Sequence, residues 1–174
     1  MSNVRTINAN IYLKLINDEE LMRLLHYPPS PPNPSPLSNQ YEDIIGSENY
    51  WDIVDKHVLL SSKADDLEDN SLCRIYIYSG KPKRIFGNNT AVRREIVIDV
   101  LCHQSYERDQ RLEWIIDRIN KNLVRRNIEG GLGKMEAYNG YDFKAPKGYI
   151  AYRLIYLIGD SAWLKTIGIN ILSD

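Results

Sequence analysis

The stretch that decides the fold runs from Arg94 to Val124: REIVIDVLCH (94–103), a short polar link QSYERDQ (104–110), then RLEWIIDRINKNLV (111–124). Successive side chains of a strand point to opposite faces. Ile96, Ile98, Val100 and Cys102 therefore share one face, and Val97, Asp99, Leu101 and His103 share the other. Both sets are largely apolar, which predicts a strand covered on both sides. Asp99 is the carboxylate on its face and is expected to pair with an arginine, and His103 reads as a polar residue at the strand edge. From Glu107 to Arg126 the period changes: Leu112, Ile115, Ile116, Ile119 and Leu123 recur at the spacing of one helical stripe. Ser105 is the expected N-cap. Arg108, Asp109, Arg111, Glu113, Asp117, Arg118 and Lys121 fall on the remaining faces, and Arg125 and Arg126 suit the negative end of the helix.

Downstream, Gly130, Gly131 and Gly133 predict a turn, and YIAYRLIYLI (149–158) and residues 163–172 predict two more strands joined through Gly159 and Asp160. Upstream, LCRIYIY (72–78) reads as a strand, with Ser79, Gly80, Lys81 and Pro82 as turn residues and a basic loop to Thr90. Residues 61–71 read as an exposed acidic loop. A short helix is expected from Ser47, with Tyr50, Trp51, Val54 and Val58 on one side. Six of the eight prolines fall at 28, 29, 31, 32, 34 and 36, where neither a helix nor a central strand can persist. Such a run favours an extended spacer or a strap over a partner. Before it, helical spacing in 7–16 and an acidic start at Asp18, Glu19 and Glu20, capped by Asn17, predict two short helices. The expected fold is α+β: a mostly antiparallel sheet of about four strands, one long helix packed on it, and an N-terminal helical arm with a Pro-rich strap. The arm and strap would occupy residues 1–40 and the α+β core residues 41–174.

With 43% hydrophobic and 26% charged residues over 174 positions, collagen-like, disulfide-scaffold and wholly disordered classes are excluded. No apolar run reaches the roughly 18 residues that span a bilayer, and the N-terminus lacks a signal-peptide pattern, so a cytoplasmic site of synthesis without membrane contact is expected. Cys73 and Cys102 each sit in an apolar run, the pattern of buried small hydrophobes in a reducing compartment. Residues 1–70 hold 5 Lys and Arg against 12 Asp and Glu, whereas residues 71–174 hold 17 against 11, so a net −7 faces a net +6. The two parts can attract each other within one chain or between copies.

Chemical signatures are absent. Gly130, Gly131, Gly133 and Lys134 resemble the end of a phosphate loop but follow a helix and open no other. His26, His57 and His103 have no neighbour at ligand spacing, and two cysteines make no zinc pattern. Cys102 and His103 face opposite sides of a strand and cannot act together. No catalytic, cofactor-binding or metal residue is expected, and the chain is not read as an enzyme. The remaining candidate is a basic patch. Lys81, Lys83, Arg84, Arg93 and Arg94 bracket the loop between the first two strands, where a projecting tip meets partners. Contact with an acidic neighbouring subunit competes with a merely solvated loop. Contact with a nucleic-acid backbone is disfavoured because aromatic residues are not interleaved.

The succession LCRIYIYSGKPKR, REIVIDVLCHQSYERDQ, RLEWIIDRINKNLV and GYIAYRLIYLIGDSAW, over residues 71–165, resembles the tailed-phage tail-completion and tail-terminator proteins of the head-to-tail neck. The resemblance lies in element order rather than in a signature motif. It implies an α+β virion protein that forms a ring, typically of six copies, on the last ring of the tail tube, contacts tube and connector proteins, needs no cofactor, and lets DNA pass through its lumen without sequence-specific binding. It also implies that Lys81 to Arg94 face a neighbour or the tube. The roughly 70 preceding residues depart from that pattern, which leaves another neck or connector position open. A cytoplasmic binding module using the proline strap is the alternative from a different class.

Overall fold

A computed structural model describes residues 3–62, 71–85 and 88–160. Helix α1 (Asn3–Ile16), α2 (Glu19–His26) and α3 (Tyr50–His57) precede a two-residue strand β1 (Val58–Leu59). Strands β2 (Cys73–Ile85) and β3 (Asn88–His103), a 3-10 turn (Gln104–Asp109), α4 (Arg111–Leu123), β4 (Leu132–Asp142) and β5 (Tyr149–Asp160) complete the order. The five-stranded sheet runs β1-β2-β3-β5-β4. It is antiparallel except where β1 pairs with Ile75 and Tyr76 of β2. The α+β expectation holds.

The decisive strand is covered on both faces, as its composition requires. Ile96, Ile98, Val100 and Cys102 pack with Ile75, Ile77, Leu154, Tyr156 and Ile158 against Ile7, Ile11, Leu15 and Leu25 of the first two helices and against Leu112, Ile115, Ile119 and Leu123 of α4. On the opposite face Leu101 joins Leu72, Tyr76, Tyr149 and Ala151 beneath Phe143 and Ala145. The helices before residue 40 and the sheet thus share one core.

Several local expectations are corrected. Ser79 to Pro82 do not turn the chain; they lie in β2 across a register irregularity. The basic loop is a ribbon, because β2 continues to Ile85 and β3 begins at Asn88. Gly130 and Gly131 do turn the chain, but Gly133 lies inside β4 (Leu132–Asp142), a strand with no sequence prediction behind it. Gly159 and Asp160 are the end of β5, opposite Arg93 and Val92, rather than a turn. The expected strand 163–172 lies outside the described residues. The predicted long helix is split: His103, not Ser105, caps the 3-10 turn, accepting the Ser105 N–H at 3.2 Å. Gln110, with φ 53°, separates that turn from α4, which ends before Arg125 and Arg126. Asp18, not Asn17, caps α2 by accepting the Leu21 N–H at 3.0 Å.

Two arginines hold the proline-rich run against the body. Arg111, expected on a polar face, is fully buried. Its guanidinium donates to the carbonyls of Leu24 (2.5 Å), Tyr27 (2.9 Å) and Pro28 (3.0 Å) and to Asp109 (2.7 Å). Asp109 also accepts the Ser30 N–H at 3.1 Å. The cost of burying this cation is offset through Nη1 and Nη2, while Nε has no hydrogen-bond partner among the described residues. Arg23 donates to the carbonyls of Pro36 (3.0 Å), Ser38 and Tyr41 (3.2 Å). Glu19 accepts the N–H groups of Ile44 and Ile45, each at 2.8 Å. The run is therefore a strap over its own chain, with the Pro28 and Pro36 carbonyls occupied.

Candidate assembly interface

The candidate residues sit on the β2–β3 ribbon. Its ladder runs from Cys73 opposite Cys102 to Ile85 opposite Asn88. Strand β5 supports β3 from His103 to Val92, whose partner Asp160 is the last described residue. Among the described residues the ribbon beyond Val92 is two-stranded, a projecting tip without a third strand beneath it.

Lys83 lies directly opposite Arg93, so two positive charges share one face. Like charges opposed across a ladder repel, and two carboxylates answer them. Lys83 Nζ lies 2.7 Å from Glu95 Oε1 and 3.6 Å from the centre of the Tyr138 ring. The bond to Glu95 raises the Lys83 pKa above its ordinary value. Arg93 Nη1 donates to Glu136 Oε2 at 2.6 Å. Arg94 stands opposite Pro82 on the alternate face and is half-buried, and Lys81 is exposed. Arg84 occupies β2 opposite Val92; its side chain lies outside the described residues. The ribbon thus brings Lys83 and Arg93 together and turns Arg94 away from them. Glu95, Glu136 and Tyr138 complete the surface and escaped the sequence reading. Their signal was present only in Glu95, two positions from Arg93 on the same face.

Behind the ribbon the outer face of the sheet carries an ion pair whose carboxylate is buried. Arg153 donates to Asp99 through Nε and Nη2, both at 2.7 Å, and the Tyr78 hydroxyl donates to the same carboxylate at 2.9 Å. This is the arginine partner that the lone carboxylate called for. Burial, and then the bond to Asp99, push the Tyr78 phenol up. The arrangement is a fully paired structural triad with no free acid or base.

The histidines are closer than their spacing suggests. His26 and His57 meet edge to face with ring centres 5.6 Å apart, and His57 Nδ1 lies 2.7 Å from the Cys73 carbonyl. Burial pushes the His57 pKa down to about 4. Among the described residues, no three His, Cys, Asp or Glu side chains gather as a metal site, and no helix is long and apolar enough to cross a membrane.

Acidic side chains lie elsewhere on the surface. Glu42, Asp43, Glu48, Asp52 and Asp55 are all exposed around the start of α3, beside the exposed Trp51. Of these, Asp43 lies 3.5 Å from Arg23 Nη1. Asp18 and Glu20 are used internally on Arg118. The sequence-level charge imbalance is therefore spent partly within the chain and partly left as separate acidic and basic surfaces.

Comparison with known proteins adds three findings. The YomW family profile matches residues 18–158. A SPbeta prophage-derived protein, YomW of Bacillus subtilis (strain 168), is 32% identical over 164 residues, covering 88% of this chain and 95% of that protein. Among solved structures, a chain from the virion of a native gene transfer agent particle has a similar fold, with a TM-score of 0.53 at 13% identity, covering 89% of this chain and 94% of that one.

Proposed function

The chain belongs to the YomW family, and from that membership together with its fold we propose that it is a structural protein of a tailed-phage virion. Its place is the head-to-tail neck, as a ring-forming tail terminator or tail-completion protein. The observation that carries the reading is the fold similarity to a chain of a gene transfer agent virion, which spans nearly the whole of both chains. The prophage origin of the Bacillus relative points the same way.

Surface chemistry supports assembly. A ring is built by pairing one patch with a different patch of the next copy. The projecting basic ribbon, with Lys81, Lys83, Arg84, Arg93 and Arg94, offers the first patch. The exposed carboxylates of Glu42, Asp43, Glu48, Asp52 and Asp55 around Trp51 offer the second. An aromatic ring at the centre of such a contact supplies apolar area, while the surrounding charges set partner and register. The buried polar groups of the sheet are committed to structural pairs, in keeping with a non-enzymatic role.

Electron microscopy of particles made after deletion of the gene from its parent element tests the reading. Full heads beside unattached tails of uncontrolled length are expected for a tail terminator. Tails of normal length that fail to join would move the protein to another neck position. Normal infectious particles would overturn the structural role.

A further inference from the structure

Cys73 and Cys102 are directly opposed in the antiparallel ladder of β2 and β3. The neighbouring pair is hydrogen-bonded: the His103 N–H donates to the Leu72 carbonyl at 3.1 Å. Hydrogen-bonded and non-hydrogen-bonded pairs alternate along such a ladder, so the cysteines occupy the non-hydrogen-bonded position. There Cα atoms approach to about 4.5 Å and side chains are closest. A disulfide accommodates Cα separations of about 4.4 to 6.8 Å, so the strands can be bridged without moving. Both cysteines are free and buried, and the two thiols lie within hydrogen-bonding reach of each other. The assembly surfaces use neither.

We propose that Cys73 and Cys102 are a latent cross-strand disulfide, which closes when the protein passes from a reducing cytoplasm to an oxidising medium. The chemical step rests on the ladder register alone; its occasion rests on the virion reading above. With a disulfide such as oxidised glutathione as co-reactant, one cysteine thiolate attacks the glutathione disulfide and expels one glutathione thiolate. The second cysteine, having lost its proton, attacks the mixed disulfide and expels the other. The protein gains one S–S bond and loses two hydrogens, while two electrons pass to glutathione, which leaves as two thiols. Burial and the neighbouring Cys73 thiol push the Cys102 thiol up, so in the folded chain the thiolate is scarce. Closure therefore goes through opening of the first residues of β2, which are held at the sheet edge by β1 and by the contact of His57 with the Cys73 carbonyl. Once formed, the bond staples the base of the ribbon by closing the chain between its two strands, which restricts the unfolded state.

The test refolds the reduced full-length protein in a glutathione buffer with the oxidised form in about tenfold excess, so that burial of the thiols in the folded chain does not decide the result. Alkylation and mass spectrometry of the unfolded product then count thiols. Most chains are expected to take up no label and to weigh less by two hydrogens, with a non-reducing digest linking the Cys73 and Cys102 peptides. Oxidation should raise the thermal midpoint of the native sequence and leave that of Cys102→Ala unchanged. Two labelled thiols, or a bond only between chains, would overturn the proposal. Thiols that stay free in released particles, while the purified protein closes the bond, would overturn its occasion. Normal particles after gene deletion would instead remove the virion reading and leave bond formation in the purified chain standing.

Discussion

The strap and the ribbon are both rich in residues that discourage packing, yet the molecule treats them oppositely. The strap, residues 28–41, is drawn inward: its carbonyls meet the guanidinium groups of Arg111 and Arg23, and Tyr27 stacks on Tyr41 with ring centres 4.0 Å apart. Among the described residues the tip of the ribbon pairs within itself, and the ribbon answers its own charge through the partly exposed Glu136 and the better covered Glu95. Cation chemistry is the same in both. What differs is the dielectric around it: a buried guanidinium without partners is very costly, whereas a half-exposed lysine is almost indifferent to losing one. Positive charge in the first region therefore serves the fold, and in the second it stays on half-exposed side chains beside Glu95 and Glu136.

The largest expected effect tests the inward half of that contrast. Arg111→Ala removes the donors that satisfy three carbonyls and Asp109, leaving buried acceptors unmatched and Asp109 with the Ser30 N–H but no cation. A loss of about 3 to 5 kcal/mol is expected, the usual result of removing one partner of a buried ion pair. Urea unfolding measures it. A loss below about 1 kcal/mol would mean that the strap is not held by this residue.

Arg111 also marks where sequence reading stops. Strand β3, α4 and the pairing of Asp99 were legible because each rests on periodicity or on a single polar residue among apolar ones. Arg111 stands in a helix beside other charged residues, and nothing in linear order tells that its side chain enters the core while that of Arg108 remains outside. Strand β4 was illegible for the converse reason: Met135 alone is buried in it, so it has no apolar alternation. Glycine misled twice. Gly80 and Gly159 read as turn residues, but each lies in a strand at a close approach. A Cβ at Gly80 would stand 2.8 Å from the Glu95 Cβ, and one at Gly159 would stand 2.6 Å from the Leu132 carbonyl oxygen. The ribbon was recognised as a basic projection, and its internal carboxylate partners were not, because Glu136 comes from the strand that was missed.

A second test of the inward region uses acid. His57, at the end of α3, is buried against His26 and the Cys73 carbonyl, with Lys56 and Arg74 adding positive charge nearby. Its folded pKa of about 4 lies below the ordinary 6.5. The unfolded chain thus takes up the proton first as pH falls. The stability contributed by neutral His57 is complete above about pH 6.5 and is lost as pH falls toward 4, a change of about 3 kcal/mol. His57→Gln, which keeps a polar group for the Cys73 carbonyl, should flatten the decline between pH 7 and 4.5 in urea titrations. An equal decline in both proteins would assign the acid sensitivity to other groups.

The smallest effect on stability should accompany the largest effect on assembly, and this sharpens the contrast from the outward side. Replacing Lys81, Lys83, Arg84 and Arg93 by Gln removes the charge of the ribbon without placing new carboxylates beside Glu95 and Glu136. The Lys83 and Arg93 side chains are 39% and 40% exposed, so their ion pairs are screened by solvent. Pairs of this kind contribute little to stability, and the thermal midpoint should move by only a few degrees. In complementation of the gene deletion, the variant should accumulate as folded protein and be missing from particles. Incorporation at the level of the native sequence would show that the ribbon charge is surplus to assembly. If incorporation is lost only when the midpoint also collapses, the ribbon belongs with the strap, as part of what holds the chain together.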